Sequence, residues 1–195
     1  RSRRMTEPVD FTLQGRTVAL RPFLPGDIHE RYLDWLADPE VNRYSQRLGA
    51  PRPSAEEARA YLSGLGDGEV VLGIHHPEYG HVGNVKYGPI DTANKRADIS
   101  ILIGERSVWG KGVGSEAIYL VSKYLFRQCG VNRVDAGSRN PAFIRAVEKL
   151  GWTIEGILRQ RIATPDGYKD YTLLAQLADE FSIRPDFEPD ASEKD

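Results

Sequence analysis

The densest chemical signal in the chain is a glycine-punctuated run, Trp109-Gly110-Lys111-Gly112-Val113-Gly114-Ser115-Glu116-Ala117, that leads into an apolar stripe of helical period. Glycines strip side chains from the approach to a helix N-terminus, so several backbone N–H groups and the positive end of the helix dipole can face one anion. That is the chemistry of a phosphate cradle. Two familiar cradles fail on spacing: a Walker loop needs Gly at Glu105 and Ser or Thr at Gly112, and the dinucleotide fingerprint needs a glycine at Ser115 and a tighter turn after its strand. Asp135 only imitates the acidic residue of that fingerprint. His29, His75, His76 and His81 have neither the i, i+4 spacing nor the cysteine partners of a zinc site, so no metal is expected. The last three flank a predicted hairpin and read as solvated turn residues more than as a base. Cys129, the single cysteine, reads as a structural thiol.

The elements that must position these residues follow from periodicity. Residues 16–22 alternate and predict a first strand ended by Pro22. Asp27-Ile28-His29-Glu30 reads as a capping box ahead of Ile28, Tyr32, Trp35 and Leu36 at helical spacing, and residues 39–42 predict a short second helix. Ser54-Ala55-Glu56-Glu57 is another capping box, with Ala58, Tyr61, Leu62 and Leu65 on one face before Gly66. Strands are predicted over 70–76, 81–87 and 97–103. A helix after Gly114 carries Ala117, Ile118, Val121, Tyr124 and Leu125, with Gly130 past its end. A strand over 132–136 follows, then a helix from Pro141 bearing Phe143, Ala146, Val147 and Leu150, then a closing hairpin around Thr164-Pro165-Asp166-Gly167. This order predicts an α+β fold on a mixed sheet rather than a regular doubly wound one.

The glycine run resembles the acetyl-coenzyme A motif of the GNAT N-acetyltransferases, Q/R-x-x-G-x-G/A at the start of a helix, with Trp109 departing at the first position as in the branch of the ribosomal-protein alanine acetyltransferases. A second block, Asn140-Pro141-Ala142-Phe143-Ile144-Arg145-Ala146-Val147-Glu148-Lys149-Leu150-Gly151-Trp152, is similar to that branch's N-x-x-S-x-R-V-x-E-K-x-G-F/W helix. The resemblance runs over about 13–177 and implies a central, mostly antiparallel twisted sheet flanked by helices and splayed at its central parallel strands. It implies that the amides of Trp109, Gly110, Lys111, Gly112, Val113, Gly114 and Ser115 bind the pyrophosphate of acetyl-CoA. Ile101, Leu102 and Ile103 would pair with the pantetheine arm, Asn140 would bond it, and Phe143 and Arg145 would border the cofactor. Asp98 is the implied base acting through water, the alternative being a strand-end ion pair with Arg96 or Lys95. An ordinary Asp pKa of about 3.9 makes a poor base, so burial or a water relay is required. Val147 stands where many members carry a Tyr that protonates the departing thiolate, and no acid can be named.

The acceptor is less legible. Residues 32–44 and 81–86 resemble GNAT enzymes that acetylate amino sugars for bacterial surface glycans, nonulosonic acid precursors included. The stretches that wall the acceptor site in relatives hold Trp35, Arg43, Tyr44, Arg47, Lys86 and Tyr87, in which Arg can fork onto phosphate and Tyr can stack on a base. The expected acceptor is a small-molecule amine, a nucleotide-linked amino sugar ahead of a protein N-terminus, with a catalytically silent CoA-binding module as the reading outside the enzymes. With 26 Lys+Arg against 28 Asp+Glu in 195 residues, the balance argues against a general nucleic-acid binder. No apolar run approaches the roughly 18–20 residues of a membrane span, and one cysteine suits a reducing, cytoplasmic compartment. One GNAT domain is expected over 11–183, between a flexible leader at 1–10 and an acidic, disordered tail at 184–195. A homodimer is compatible with the sequence.

Overall fold

The computed structural model describes residues 11–189. Strands β1 (Leu13–Gln14), β2 (Ala19–Pro22), β3 (Val70–His76), β4 (Gly80–Tyr87), β5 (Arg96–Ile103), β6 (Arg133–Ser138), β7 (Thr153–Thr164) and β8 (Gly167–Leu177) form one sheet. Their order is β1-β2-β3-β4-β5-β6-β8-β7. Every neighbouring pair is antiparallel except β5 and β6, which are parallel. The sheet is therefore mixed and mostly antiparallel, as expected.

The β5–β6 contact is brief. Only Arg96↔Arg133, Ala97↔Val134 and Asp98↔Asp135 pair. Beyond that point β5 follows β4, with Ile99 opposite Tyr87 and Ile103 opposite Gly83, while β6 follows β8 as far as Ser138↔Thr172. Each strand keeps its antiparallel partner and the two part company. A wedge opens between them after Asp98, and along it β5 presents an unpaired backbone edge.

Helices α1 (Glu30–Trp35) and α2 (Ala55–Ser63) cover one face of the sheet, and α3 (Val113–Arg127) covers the other. On the α3 side Leu72, Ile74, Val85, Ile99, Ala117, Ile118, Val121 and Leu125 interlock with Val147 of α4 (Pro141–Lys149). On the opposite side Phe23, Tyr32, Leu33, Trp35, Ala58, Leu62 and Val71 form a separate core. The α3 stripe is the one read from sequence, and its buried Glu116 accepts hydrogen bonds from the amides of Thr17 and Val18 and from the Thr17 hydroxyl. A carboxylate in the first turn of a helix also complements the helix dipole. It ties the β1–β2 turn to α3.

Several local expectations are corrected. Asp27 does not start α1: its carboxylate accepts the Leu24 amide at 2.7 Å in a separate turn of 3-10 helix, Pro25–Asp27, and His29 is the N-cap instead. Residues 39–42 form turns rather than a helix, because the Asp38 carboxylate accepts the amides of Glu40 and Val41 and favours turn over helix. The second capping box holds, with Ser54 and Glu57 bonded reciprocally, but α2 ends at Gly64 rather than Gly66. Part of the expected disordered tail is packed: the Phe187 ring lies tilted against Tyr119, and Glu188 accepts from the Tyr119 hydroxyl and from Lys123 Nζ at 2.6 Å. The expected leader at 1–10 and the remainder of the tail at 190–195 lie outside the described residues.

Candidate active site

The wedge opens into a cleft of about 1420 Å³ bordered by α1, α2 and the loop between them, by β4 and β5, by the start of α3 and by α4. Gly110, Gly112, Val113, Gly114 and Ser115 line one end of it, together with Trp109. Gly110 and Gly112 adopt left-handed backbone, φ +74° and +85°, and nothing lies within 4 Å of the Cβ either would acquire. Gly112 is the N-cap of α3. The first amides of any α-helix lack intrahelical acceptors, so the α3 start is a bare donor surface at a helix N-terminus. Its donor set is narrower than expected. The Trp109 and Lys111 amides are engaged by the Arg106 and Val108 carbonyls, and the Lys111 ammonium lies over the Tyr79 ring at 5.7 Å, away from the cleft. The Trp109 indole N–H donates to the Ile103 carbonyl at 3.0 Å.

Along the wedge, Ile101, Leu102 and Ile103 line the cleft from β5, with Asn140, Phe143 and Arg145 opposite them. The Asn140 side-chain oxygen is the N-cap acceptor of α4, taking the Ala142 amide at 2.9 Å. Its amide N–H₂ is what remains to donate into the wedge. An unpaired strand edge, an opposing amide donor and a glycine-lined helix start fit a long, hydrogen-bonding thioester cosubstrate ending in phosphates. No group of three or more His, Cys, Asp or Glu that could hold a metal ion is found among the described residues.

Asp98 is the last β5 residue to pair with β6 and so stands at the vertex of the wedge. Strand alternation puts it on the same face as Ser100 and Leu102, which line the cleft, though Asp98 itself is not among the lining residues. Asp98 is exposed, so the water relay rather than deep burial is open to it; partial desolvation and then the Asp135 charge raise its pKa above the ordinary value, against the opposing charges of Arg96 and Arg133. Among the described ion pairs, Arg96 reaches Asp91 and Asp135, not Asp98.

Tyr171 on β8 was not anticipated. It lines the cleft on the β6 side beyond the vertex, its hydroxyl donates to the Gly137 carbonyl at 2.7 Å, and its ring occupies the space a Cβ on Gly137 would need, 2.3 Å away. Burial raises its pKa and the Asp98 charge adds to that, with Arg161 opposing. Nothing in the spacing of an exposed hairpin marks this tyrosine, because the partner it meets lies on β6.

On the side expected to hold the acceptor, Arg43, Tyr44, Arg47 and Lys86 line the cleft. Two expected neighbours do not. Tyr87 is buried on the α3 face against Tyr124, because adjacent strand residues point to opposite sides and Lys86 takes the cleft. Trp35 is core: its ring covers Gly104, where an added Cβ would sit 1.9 Å from it. Lys86 is held by Glu69 at 2.5 Å. Arg43 and Arg139 stack on Tyr44 from 5.6 and 5.5 Å, and Arg139 donates to the Arg43 carbonyl at 2.6 Å, so the α1–α2 loop is joined to the loop before α4. Arg43, Arg47, Arg139, Arg145 and Lys149 form no ion pair among the described residues. For His81 the expectation of a solvated turn residue is overturned: it is buried and hydrogen-bonded to His29 at 2.8 Å and to Asn84 at 2.7 Å.

No helix of the described residues is long and apolar enough to cross a membrane. Residues 17–153 match the family model described as "Acetyltransferase (GNAT) domain". The chain is 35% identical over 80 residues to the Uncharacterized N-acetyltransferase p20 of Bacillus licheniformis, covering 40% of this chain and 44% of that one. It spans about two fifths of the curated Bacillus relatives it matches. It is 26% identical over 178 residues to the human Alpha/beta-tubulin-N-acetyltransferase 9, covering 83% and 81% of the two chains. The spermidine N-acetyltransferase of Vibrio cholerae, solved with CoA and spermine, shares the fold at a TM-score of 0.75 and 18% identity, over 84% of this chain and 97% of that one. With its splayed sheet, its glycine-lined helix start and a family match over more than half its length, the chain belongs to the GNAT acetyltransferase family.

Proposed function

We propose that the enzyme transfers acetyl from acetyl-CoA directly to the amine of a nucleotide-linked amino sugar. The amides at the start of α3 receive the pyrophosphate, the free edge of β5 from Ile101 to Ile103 pairs with the pantetheine arm, and Arg145 and Lys149 face its phosphates from α4. Pantetheine bound this way carries the thioester toward the wedge vertex, where Asp98 is, with Tyr171 on the β6 side beyond it. The incoming amine must be neutral to attack, and Asp98, with its raised pKa, takes its proton through water. Backbone N–H groups of β5 polarise the thioester carbonyl. Tyr171, a phenol held protonated, returns a proton to the departing thiolate in place of the tyrosine that Val147 lacks.

The observation that carries the acceptor reading is charge. Arg43 and Arg47 line the α1–α2 side of the cleft without carboxylate partners among the described residues, and Arg139, behind that lining, stacks with Arg43 on Tyr44. Unpaired guanidiniums beside an aromatic ring suit a phosphorylated, base-bearing acceptor and disfavour a polycation. The human tubulin acetyltransferase match favours a second reading, a protein N-terminus as acceptor. A free-thiol release assay with acetyl-CoA against UDP-, dTDP- and GDP-amino sugars, N-terminal peptides, polyamines and aminoglycosides separates them. Turnover of a nucleotide-linked amino sugar is expected. Turnover confined to peptides moves the function to protein modification.

A further inference from the structure

The acceptor side of the cleft is backed by a string of polar groups with one feasible arrangement of protons. It begins at the N-cap of α1. The Tyr32 amide, which can only donate, faces His29 Nδ1 at 3.2 Å, so that nitrogen accepts and the neutral ring carries its proton on Nε2. His29 Nε2 is 2.8 Å from His81 Nδ1, which must then accept, leaving the His81 proton on Nε2. His81 Nε2 is 2.7 Å from Asn84 Oδ1 and donates to it. The Asn84 N–H₂ therefore points away from His81. Tyr32 lines the same cleft as Asn84, and the Asn84 amide acts on its phenol as a polar neighbour, lowering a pKa that burial raises. Phe23, Trp35 and the Tyr32 ring pack around the imidazoles and keep water from reshuffling the protons.

Tyr32 and Asn84 both line the cleft, and the charges the Tyr32 phenol feels come from Tyr61 and Arg47, which line it too. If Asn84 donates to the phenol oxygen, the phenol proton is turned toward the acceptor. We propose that Tyr32 is an acceptor-binding residue that donates its hydroxyl proton to an oxygen of the acceptor, and that Asn84, His81 and His29 are positioning residues that fix the direction of that bond from the helix cap outward. This rests on the reading that the α1–α2 side of the cleft holds the acceptor. It is separate from the transfer chemistry at Asp98 and Tyr171.

The string makes an unusual demand on His29. A second proton on either imidazole would set donor against donor, at the Tyr32 amide or between the two rings. His29→Asn keeps a side-chain oxygen to cap α1 but removes the N–H that meets His81 Nδ1. His81 then loses the constraint that selects its tautomer, although nothing that touches the acceptor has changed.

The test has two arms. Long-range ¹⁵N–¹H NMR of histidine-labelled protein at pH 7 is expected to show His29 and His81 both neutral and both protonated on Nε2, and His81 in mixed tautomers in His29→Asn. An Nδ1-protonated or cationic His81 in the unsubstituted protein overturns the proposal. In the second arm, with a UDP-amino sugar as acceptor, Tyr32→Phe raises the acceptor KM about tenfold, the loss of one hydrogen bond, with the acetyl-CoA KM unchanged. His29→Asn raises it in the same direction and adds nothing in the Tyr32→Phe background. An unchanged acceptor KM in Tyr32→Phe, or additive effects, refutes it. The tautomer arm needs no acceptor, so it decides the proton order even where no amino sugar is turned over and the proposed function itself has failed.

Discussion

Gly112 and Gly130 stand near opposite ends of α3, and together they isolate cosubstrate binding from stability. Both have left-handed backbone, φ +85° and +67°, and neither would place a new Cβ within 4 Å of anything. Alanine at either position carries the same penalty, about 1–2 kcal/mol for an L-residue in this region. For a chain of this length each kcal/mol corresponds to roughly 2–4 °C, so both variants should melt about 2–8 °C lower. Their surroundings differ. Gly112 lines the cleft at the helix start, whereas Gly130 lies beyond the last turn and borders a separate hollow near Asn132. On the proposed reading, a methyl at Gly112 stands where the pyrophosphate would approach the amides. Losing one charge-assisted hydrogen bond of about 1.5–3 kcal/mol weakens binding by roughly 10- to 150-fold. Calorimetric titration with acetyl-CoA, alongside thermal melts of both variants, checks this. Equal melting losses with an affinity loss in Gly112→Ala alone are expected. Unchanged affinity in Gly112→Ala, or an equal loss in Gly130→Ala, would refute the cradle.

Asp98→Asn should lower turnover by about 10²–10⁴ while acetyl-CoA affinity holds, and the acid limb of the unsubstituted enzyme's pH–rate profile should lie above the range of an ordinary aspartate, since partial desolvation and Asp135 raise its pKa. Retention of activity within a few fold makes the residue structural. Tyr171→Phe keeps the ring against Gly137 and removes one hydrogen bond worth about 1 kcal/mol, so the melting point moves little while kcat falls at least tenfold with both KM values nearly constant; an unchanged kcat rejects its role as the acid. Stability should also fall on mild acidification. Burial, with the nearby imidazoles His29 and His75 adding, pushes His81 down to about 4, opposed by its Asn84 bond, and burial with Arg31 and with Arg21 lowers His29 and His75. These groups bind protons more readily when unfolded, so their contribution is complete above about pH 6.5 and is lost as pH falls toward 4, on the order of 3 kcal/mol for His81 alone. Urea titrations at pH 7.5 and 5, with His81→Asn as reference, measure it, and equal stabilities at the two pH values would contradict the buried string.

What the sequence disclosed and what it hid divide along a physical line. The α3 stripe, the Ser54–Glu57 box and the glycine run are local patterns, each decided within a few turns of chain, and the structure contains all three. Lys86 and Tyr87 show the limit of such reasoning: alternation guarantees that only one of two adjacent strand residues can face the cleft, but which one is settled by the β4 register against β5. His81 sits beside a turn and looks solvated, yet a partner 52 residues earlier, brought in by the α1 cap, buries it. Tyr171 meets Gly137 across 34 residues for the same reason. In both cases the missing information is which elements far apart in the chain pack together. The part of the site proposed to hold the cosubstrate is built from short contiguous stretches, the end of β5 with the glycine loop and the start of α4, and is legible. The wall proposed to face the acceptor is assembled from α1, α2, the loop between them and β4, so the specificity proposed for it resides in contacts that no short stretch of the chain encodes.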